Sequence, residues 1–351
     1  MNKINIFQST RAKKTNLQQQ SGMTLIEIMV ALLIGAFLLG GVLQIFIGSK
    51  QTYKVQENLF RLQENARFAM YFLSKDIRRA GLQGCPSIRS VTANVVTEVP
   101  VIPPLNQTTF IVGNDSVSDN WNANACGAGN KCFSGSDAIS INYSENCGGT
   151  LIANMANVNS SVQIANTNSC GITAGDAVLL SNCSSADIFR STTAGNTINH
   201  LPLSSAYGTD AELFVYHAFT YFIRESSTGA PGLSLWRLDD TKTSGNGSNP
   251  IELIEGVEDM QILYGVDTDA DATGSNGDGT PNYYVTASDV AATNDWPRVI
   301  SIRISLLVAT IDDQVSSQNI VYTYNGVTTI STDRRIRRVF NTTIALRNRL
   351  G

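Results

Sequence analysis

Ser21-Gly22-Met23-Thr24-Leu25-Ile26-Glu27 stands at the head of a long apolar run and puts one carboxylate inside what otherwise reads as a membrane segment. From Ile28 to Ser49, 22 residues carry no formal charge. As a helix that is enough to cross a hydrocarbon core of about 30 Å. Glu27 lies at the start of this run, where an ionised side chain is costly and therefore marks a functional candidate. The residues before it are hydrophilic and basic, with Lys3, Arg11, Lys13 and Lys14 and no acid among the first 22. An ordinary secretory signal is cut after its apolar core at small residues. Here that position reads Gln44-Ile45-Phe46-Ile47-Gly48-Ser49, with no Ala-x-Ala-like site. A plain signal anchor explains the basic flank, since positive charge stays cytoplasmic. It leaves the acid beside a Gly-Met junction unexplained.

The chain has 351 residues and a net charge of −4; without the basic first 22 residues the remainder is more acidic still, at −8. Such a chain is a poor generic binder of nucleic acid, whose affinity rests on phosphate neutralisation, and no specific nucleic-acid partner is expected. Charged residues make up 15% of the chain, which is rich in Gly, Ser, Thr and Asn, as extracytoplasmic, loop-rich β proteins are.

All six cysteines, Cys85, Cys126, Cys132, Cys147, Cys170 and Cys183, follow the apolar run. There is no Cys-x-x-Cys, and the histidines are His200 and His217, so zinc-ligand spacing is absent. An even count in an exported domain points to disulfides. Because short loops close readily, the expected pairs are Cys126–Cys132 and Cys170–Cys183, leaving Cys85 with Cys147. No Gly-x-Ser-x-Gly, P-loop or paired-histidine motif is present, so the sequence supports no enzymatic role.

Helical periodicity continues past the apolar run. Val55, Leu59, Leu62, Ala66, Ala69, Leu73, Ile77 and Ala80 step by threes and fours, one apolar stripe on a helix. Lys54, Glu57, Arg61, Glu64, Lys75 and Arg78 take the other face, and Gly81 suits the residue after the last turn. Gly35, Gly40 and Gly41 are positions where this helix could loosen. Beyond Gly81 the period becomes strand-like. Strands are expected over Ala138–Tyr143, Ala177–Leu180, Leu213–Ile223, Leu233–Leu238, Met260–Val266, Val299–Thr310 and Ile336–Leu346. The stretch from Val91 to Lys131 reads as irregular. The expected fold is α+β, with a long N-terminal helix whose outer half packs its stripe on the sheet of a β-rich domain.

Two clusters carry charge. Asp267, Asp269, Asp271, Asn276 and Asp278 crowd one loop that reads first as a solvated hairpin loop and, as the alternative, offers hard oxygens to Ca²⁺, although Ala272 and Asp278 depart from the EF-hand positions six and twelve. No other cofactor is expected. Arg334, Arg335, Arg337, Arg338, Arg347 and Arg349 form a basic tail, read as the solvated side of a final edge strand.

The Gly22-Met23 junction, with Glu27 fifth when Met23 is counted first, resembles the class III signal of type IV pilins and pseudopilins. Arg61–Ala69, Ser181–Phe189, Glu255–Met260, Arg337–Phe340 and Ala345–Arg349 are similar, in that order, to segments of PilW-type minor pilins. The resemblance implies a pilin-like layout: a leader over residues 1–22, a helix over 23–80 that is transmembrane over about 26–47, and a globular domain over 81–351. It implies cleavage between Gly22 and Met23 by prepilin peptidase, N-methylation of Met23, and a charge pair between Glu27 and a neighbouring subunit's N-terminal ammonium. It further implies a single pass through the inner membrane with the N-terminus cytoplasmic and the domain periplasmic, then export to the pilus surface. Other minor pilins, the major pilin and a tip adhesin are the implied partners. The implied role is priming pilus assembly at or near the tip, in support of twitching, adhesion or DNA uptake. The alternatives are a J-type pseudopilin of type II secretion and a membrane-anchored adhesin or binding module; length and six cysteines favour PilW.

Overall fold

The computed structural model describes residues 22–85, 87–96, 101–126, 131–227, 232–242 and 250–349. The chain begins with α1 (Leu25–Arg79), β1 (Asn94–Val95), β2 (Ile111–Asn114), α2 (Ala123–Cys126), β3 (Ala138–Thr150) and β4 (Val162–Gln163). Next come β5 (Ala177–Ser181), β6 (Ala186–Arg190), β7 (Thr197–Ile198), β8 (Glu212–Glu225), β9 (Leu233–Asp239) and β10 (Ile251–Glu255). It ends with β11 (Val257–Val266), β12 (Tyr283–Val285), α3 (Ala287–Thr293), β13 (Val299–Ala309), β14 (Val321–Tyr324), β15 (Val327–Ile330) and β16 (Arg337–Ala345). All seven strands expected from the periodicity are present, and the layout is α+β. The Val91–Lys131 stretch holds only the short β1, β2 and α2.

Two compact units divide the chain, residues 1–53 and 54–351. Among the described residues the first unit is the apolar part of α1. No proline interrupts it, and the helix runs unbroken through Gly35, Gly40 and Gly41, so the glycines do not loosen it. Leu25, Leu32, Phe37, Leu39 and Ile45 are exposed along it. Among the described residues, α1 is the one helix long and apolar enough to cross a membrane, judged by length and composition.

In the second unit, β8 is the spine of an eight-stranded sheet. One edge of β8 pairs antiparallel with β3 over Glu212–Tyr221. Its other edge pairs first with β5 (Glu212–Val215 of β8) and then with β9 (Phe219–Glu225). A second sheet has the order β12-β11-β13-β16. One domain with one sheet on the helix was the simplest expectation; the structure has two main sheets. Gly256 makes the switch, carrying the chain from β10 of the first sheet into β11 of the second at φ +81°. A Cβ there would lie 2.7 Å from the Ala309 carbonyl oxygen, so only glycine fits without a backbone shift.

The helical stripe does what its spacing requires. Leu62, Ala66, Ala69, Leu73, Ile77 and Ala80 are fully buried, while Val55 and Leu59 are half-buried. The six buried residues share one core with Ile139, Ile141 and Tyr221 of the first sheet and Met260, Ile262, Ile302 and Ile304 of the second. Each buried Leu or Ile of this kind contributes about 1.5–3 kcal/mol relative to exposure. Gly81 follows the helix at φ +77°, as expected of a terminating glycine. Asn348 then donates to the Arg79 and Ala80 carbonyls at 3.2 and 3.0 Å, satisfying acceptors that the helix end leaves open.

Candidate functional site

Thr24 and Glu27 hold each other at the start of α1. The Thr24 amide and hydroxyl both donate to Glu27 Oε2 at 2.9 Å, and the Glu27 amide donates to Thr24 Oγ1 at 3.4 Å. This is a reciprocal capping box, with Thr24 before the first helical turn and Glu27 three residues on. It aims the carboxylate back at the N-terminal end, one residue from Met23, which is exposed. A Cβ at Gly22 would meet nothing within 4 Å, so the Gly22–Met23 junction stands clear of the described residues. Residues 1–21, with their four basic side chains, lie outside the described residues. Sequence reasoning picked out Glu27 for its cost in hydrocarbon and missed the box, although Thr24-Leu25-Ile26-Glu27 carries its spacing.

The disulfides correct two of three expected pairs. Cys126–Cys132 is present, but the others are Cys85–Cys183 and Cys147–Cys170, not Cys85–Cys147 and Cys170–Cys183. Cys170 precedes β5 and Cys183 follows it. A five-residue strand advances the chain about 16 Å, beyond the roughly 7 Å that a disulfide spans between Cα atoms. Proximity in sequence thus misled, because a strand intervenes. Cys183 sits in the turn between β5 and β6, and it meets Cys85 in the loop leaving α1.

The acidic loop between β11 and β12 divides its five residues. Single carboxylate oxygens of Asp267, Asp269 and Asp278 lie within 4.8 Å of one another. Asp271 is not part of that group and bonds Asn276, whose Nδ2 donates to Asp271 Oδ2 at 3.0 Å. Asp271 also accepts from the Thr273 hydroxyl and the Ser275 amide, and these hydrogen bonds hold its pKa down at about 2. Asp267 is buried and accepts backbone N–H bonds from Asp269, Ala270 and Gly279. Three hard oxygens suit Ca²⁺ better than a soft metal, and the loop's own donors already satisfy much of Asp267.

Two polar clusters were not anticipated. Asp76, on the buried face of α1, accepts from Tyr143 Oη at 2.9 Å and from Tyr221 Oη at 2.5 Å, with Arg237 Nη1 at 4.0 Å. Burial and the Asp76 charge push both tyrosine pKa values well above their ordinary range. Close by, His217 Nε2 lies 3.3 Å from Glu145, and burial lowers the His217 pKa. The second cluster revises the basic tail. Arg335 and Arg337 are not solvated; both close on Glu258, at 2.9 and 2.6 Å, and Arg337 also pairs with Asp333 at 2.6 Å. Strand β16 does end its sheet, as an edge strand should.

Residues 220–348 match the family model described as Type IV Pilus-assembly protein W, and residues 17–43 match the prokaryotic N-terminal methylation motif. No curated protein and no solved structure matches the chain. The methylation motif brackets Gly22, Met23 and the Thr24–Glu27 box, and the PilW match begins in β8 and covers the second sheet through β16. Together the two matches support a type IV pilus minor pilin of the PilW family.

Proposed function

We propose that the chain is inserted with its N-terminus inside and cut between Gly22 and Met23 by prepilin peptidase. The new Met23 amine is then methylated, and the subunit primes pilus assembly at or near the tip. The observation that carries this reading is the methylation-motif match over residues 17–43, which contains a junction followed by a carboxylate that the helix N-terminus holds in place. In hydrocarbon an ammonium and a carboxylate are each costly, and pairing them between subunits offsets both penalties. The capping box leaves one Glu27 oxygen without a bond from Thr24, which is the oxygen available to a neighbour's N-terminus. The β domain then selects other minor pilins, the major pilin or an adhesin.

The test is the intact mass and N-terminal sequence of the protein from cells with and without prepilin peptidase. A chain starting at N-methylated Met23 only when the enzyme is present is the expected result; an uncut chain in both strains sinks the reading and favours an anchored binding module. With Glu27→Ala, processing is expected to persist while incorporation into pili is lost. Normal piliation in that variant would overturn the charge-pair account. Loss of exoprotein release rather than pili on deletion would assign the subunit to secretion.

A further inference from the structure

The hairpin of β14 and β15 forms a roof over part of the second sheet. Its register pairs Tyr322 with Thr329 and Tyr324 with Val327, which places these four side chains on the face lining a cavity. Asn325 and Gly326, both at positive φ, make the two-residue turn. Two hydrogen bonds fix the roof. Tyr324 Oη donates to the Ser305 carbonyl at 2.9 Å, and Asn325 Nδ2 donates to Gln261 Oε1 at 3.3 Å. The cavity is half open, has a volume of about 510 Å³ and is also lined by Phe133, Glu258, Asp259, Leu307 and Arg337. That size falls among small-molecule sites.

The charges around it do not balance. Glu258 is neutralised by Arg335 and Arg337. Among the described residues no cation lies within ion-pair distance of Asp259, which accepts from the neutral Gln261 amide at 3.2 Å and is also hydrogen-bonded by Ser136 and the Met260 backbone. Burial raises the Asp259 pKa. An adjoining cavity of about 300 Å³ shares Ser116, Gln261 and Asn325 with the first and adds Asp115 and Asp137. Burial, with the Asp115 and Asp259 charges adding to it, pushes Asp137 up to about 6. Arg303 also lines that second cavity, with its guanidinium laid 3.9 Å from the Tyr284 ring centre. Three aromatic rings and a carboxylate without an ion-pair partner in one half-open cleft attract a cation twice over, through the ring quadrupoles and through direct charge. Tyr322 already draws the Arg337 guanidinium to 5.4 Å. Leu307 and Val327 supply apolar contact for an aliphatic stem. An anionic guest is repelled, and a neutral one leaves Asp259 without a counter-charge.

We propose that this cavity binds a primary alkylammonium group, with Asp259 as its counter-ion and Phe133, Tyr322 and Tyr324 as its aromatic walls. A lysine side chain on another protein and a free aliphatic diamine both carry that group. The inference is independent of the pilus reading, because a chain never cut at Gly22 would bind the same group.

The experiment is calorimetric titration of the full chain, in a neutral maltoside detergent and amine-free buffer, with three probes. These are Nα-acetyl-lysine methylamide, 1,5-diaminopentane and the uncharged Nα,Nε-diacetyl-lysine methylamide. Saturable binding of a charged probe and none of the uncharged one is expected. Asp259→Asn should weaken binding about tenfold or more, and Phe133→Leu should weaken it several-fold. Tighter binding of the lysine derivative would support a protein side chain as the natural guest; tighter binding of the diamine would support a free amine. Equal binding of the uncharged probe, unchanged affinity in Asp259→Asn, or no saturable heat up to about 50 mM would each overturn the proposal.

Discussion

Asp76 shows how one residue can fasten a helix to a sheet. It sits on the stripe side of α1, where sequence periodicity calls for an apolar residue, and is buried. Its two oxygens are taken by Tyr143 and Tyr221, from neighbouring strands β3 and β8. Removing the carboxylate leaves two buried hydroxyls without an acceptor, each carrying its own desolvation cost. Asp76→Ala is therefore expected to destabilise the fold by about 3 kcal/mol, and Asp76→Asn, which keeps one acceptor, by about half as much. Denaturant midpoints of the full chain would check the order; equal losses would mean that packing, not hydrogen bonding, fixes the position. Nothing in the sequence marked Asp76, because a lone acid in a stripe gains its meaning only from the tyrosines that strand pairing brings to it.

At the scale of elements, legibility followed periodicity. The helix stripe from Leu62 to Ala80 steps regularly, β11 and β13 alternate, and β8 is a nearly continuous apolar run, so each was readable. The hairpin Val321–Ile330 was not, although Asn325-Gly326 is a strong turn signal. Val321, Val327 and Ile330 are exposed while Tyr324 is buried, so its apolar residues fall on both faces and the pattern blurs. Disulfide pairing was legible only where no strand separated the cysteines, as at Cys126–Cys132. The acidic loop was legible as a cluster, but which carboxylates converge depended on a fold that turns Asp271 toward Thr273 and Ser275. For the three that converge, Ca²⁺ is expected to relieve their mutual repulsion and raise the Tm of the full chain, by about 2–3 kcal/mol of stability at a hundredfold excess over Kd. A Tm that does not move on adding Ca²⁺ or chelator would leave the loop held by its own hydrogen bonds.

For the molecule as a whole, the long-range cross-link matters most. Cys85–Cys183 joins residues 98 apart, whereas Cys126–Cys132 spans 6. In the loop-entropy account the first contributes roughly 4–5 kcal/mol and the second about 2 kcal/mol. Replacing Cys85 and Cys183 together by Ser should thus lower the denaturant midpoint more than replacing Cys126 and Cys132; the reverse order would mean that local geometry dominates. The same bond has a mechanical consequence. Tension entering the second unit along α1 reaches Cys85 just beyond the end of the helix and passes across the sulfurs to the β5–β6 turn. Even if β1 to β5 were torn from their partners, the segment between the two cysteines could not be drawn out. About 330 Å of contour length, at roughly 3.4 Å per residue, is withheld from the pull. A subunit built this way would hold its reach under load, yielding first outside the loop that the sulfurs close.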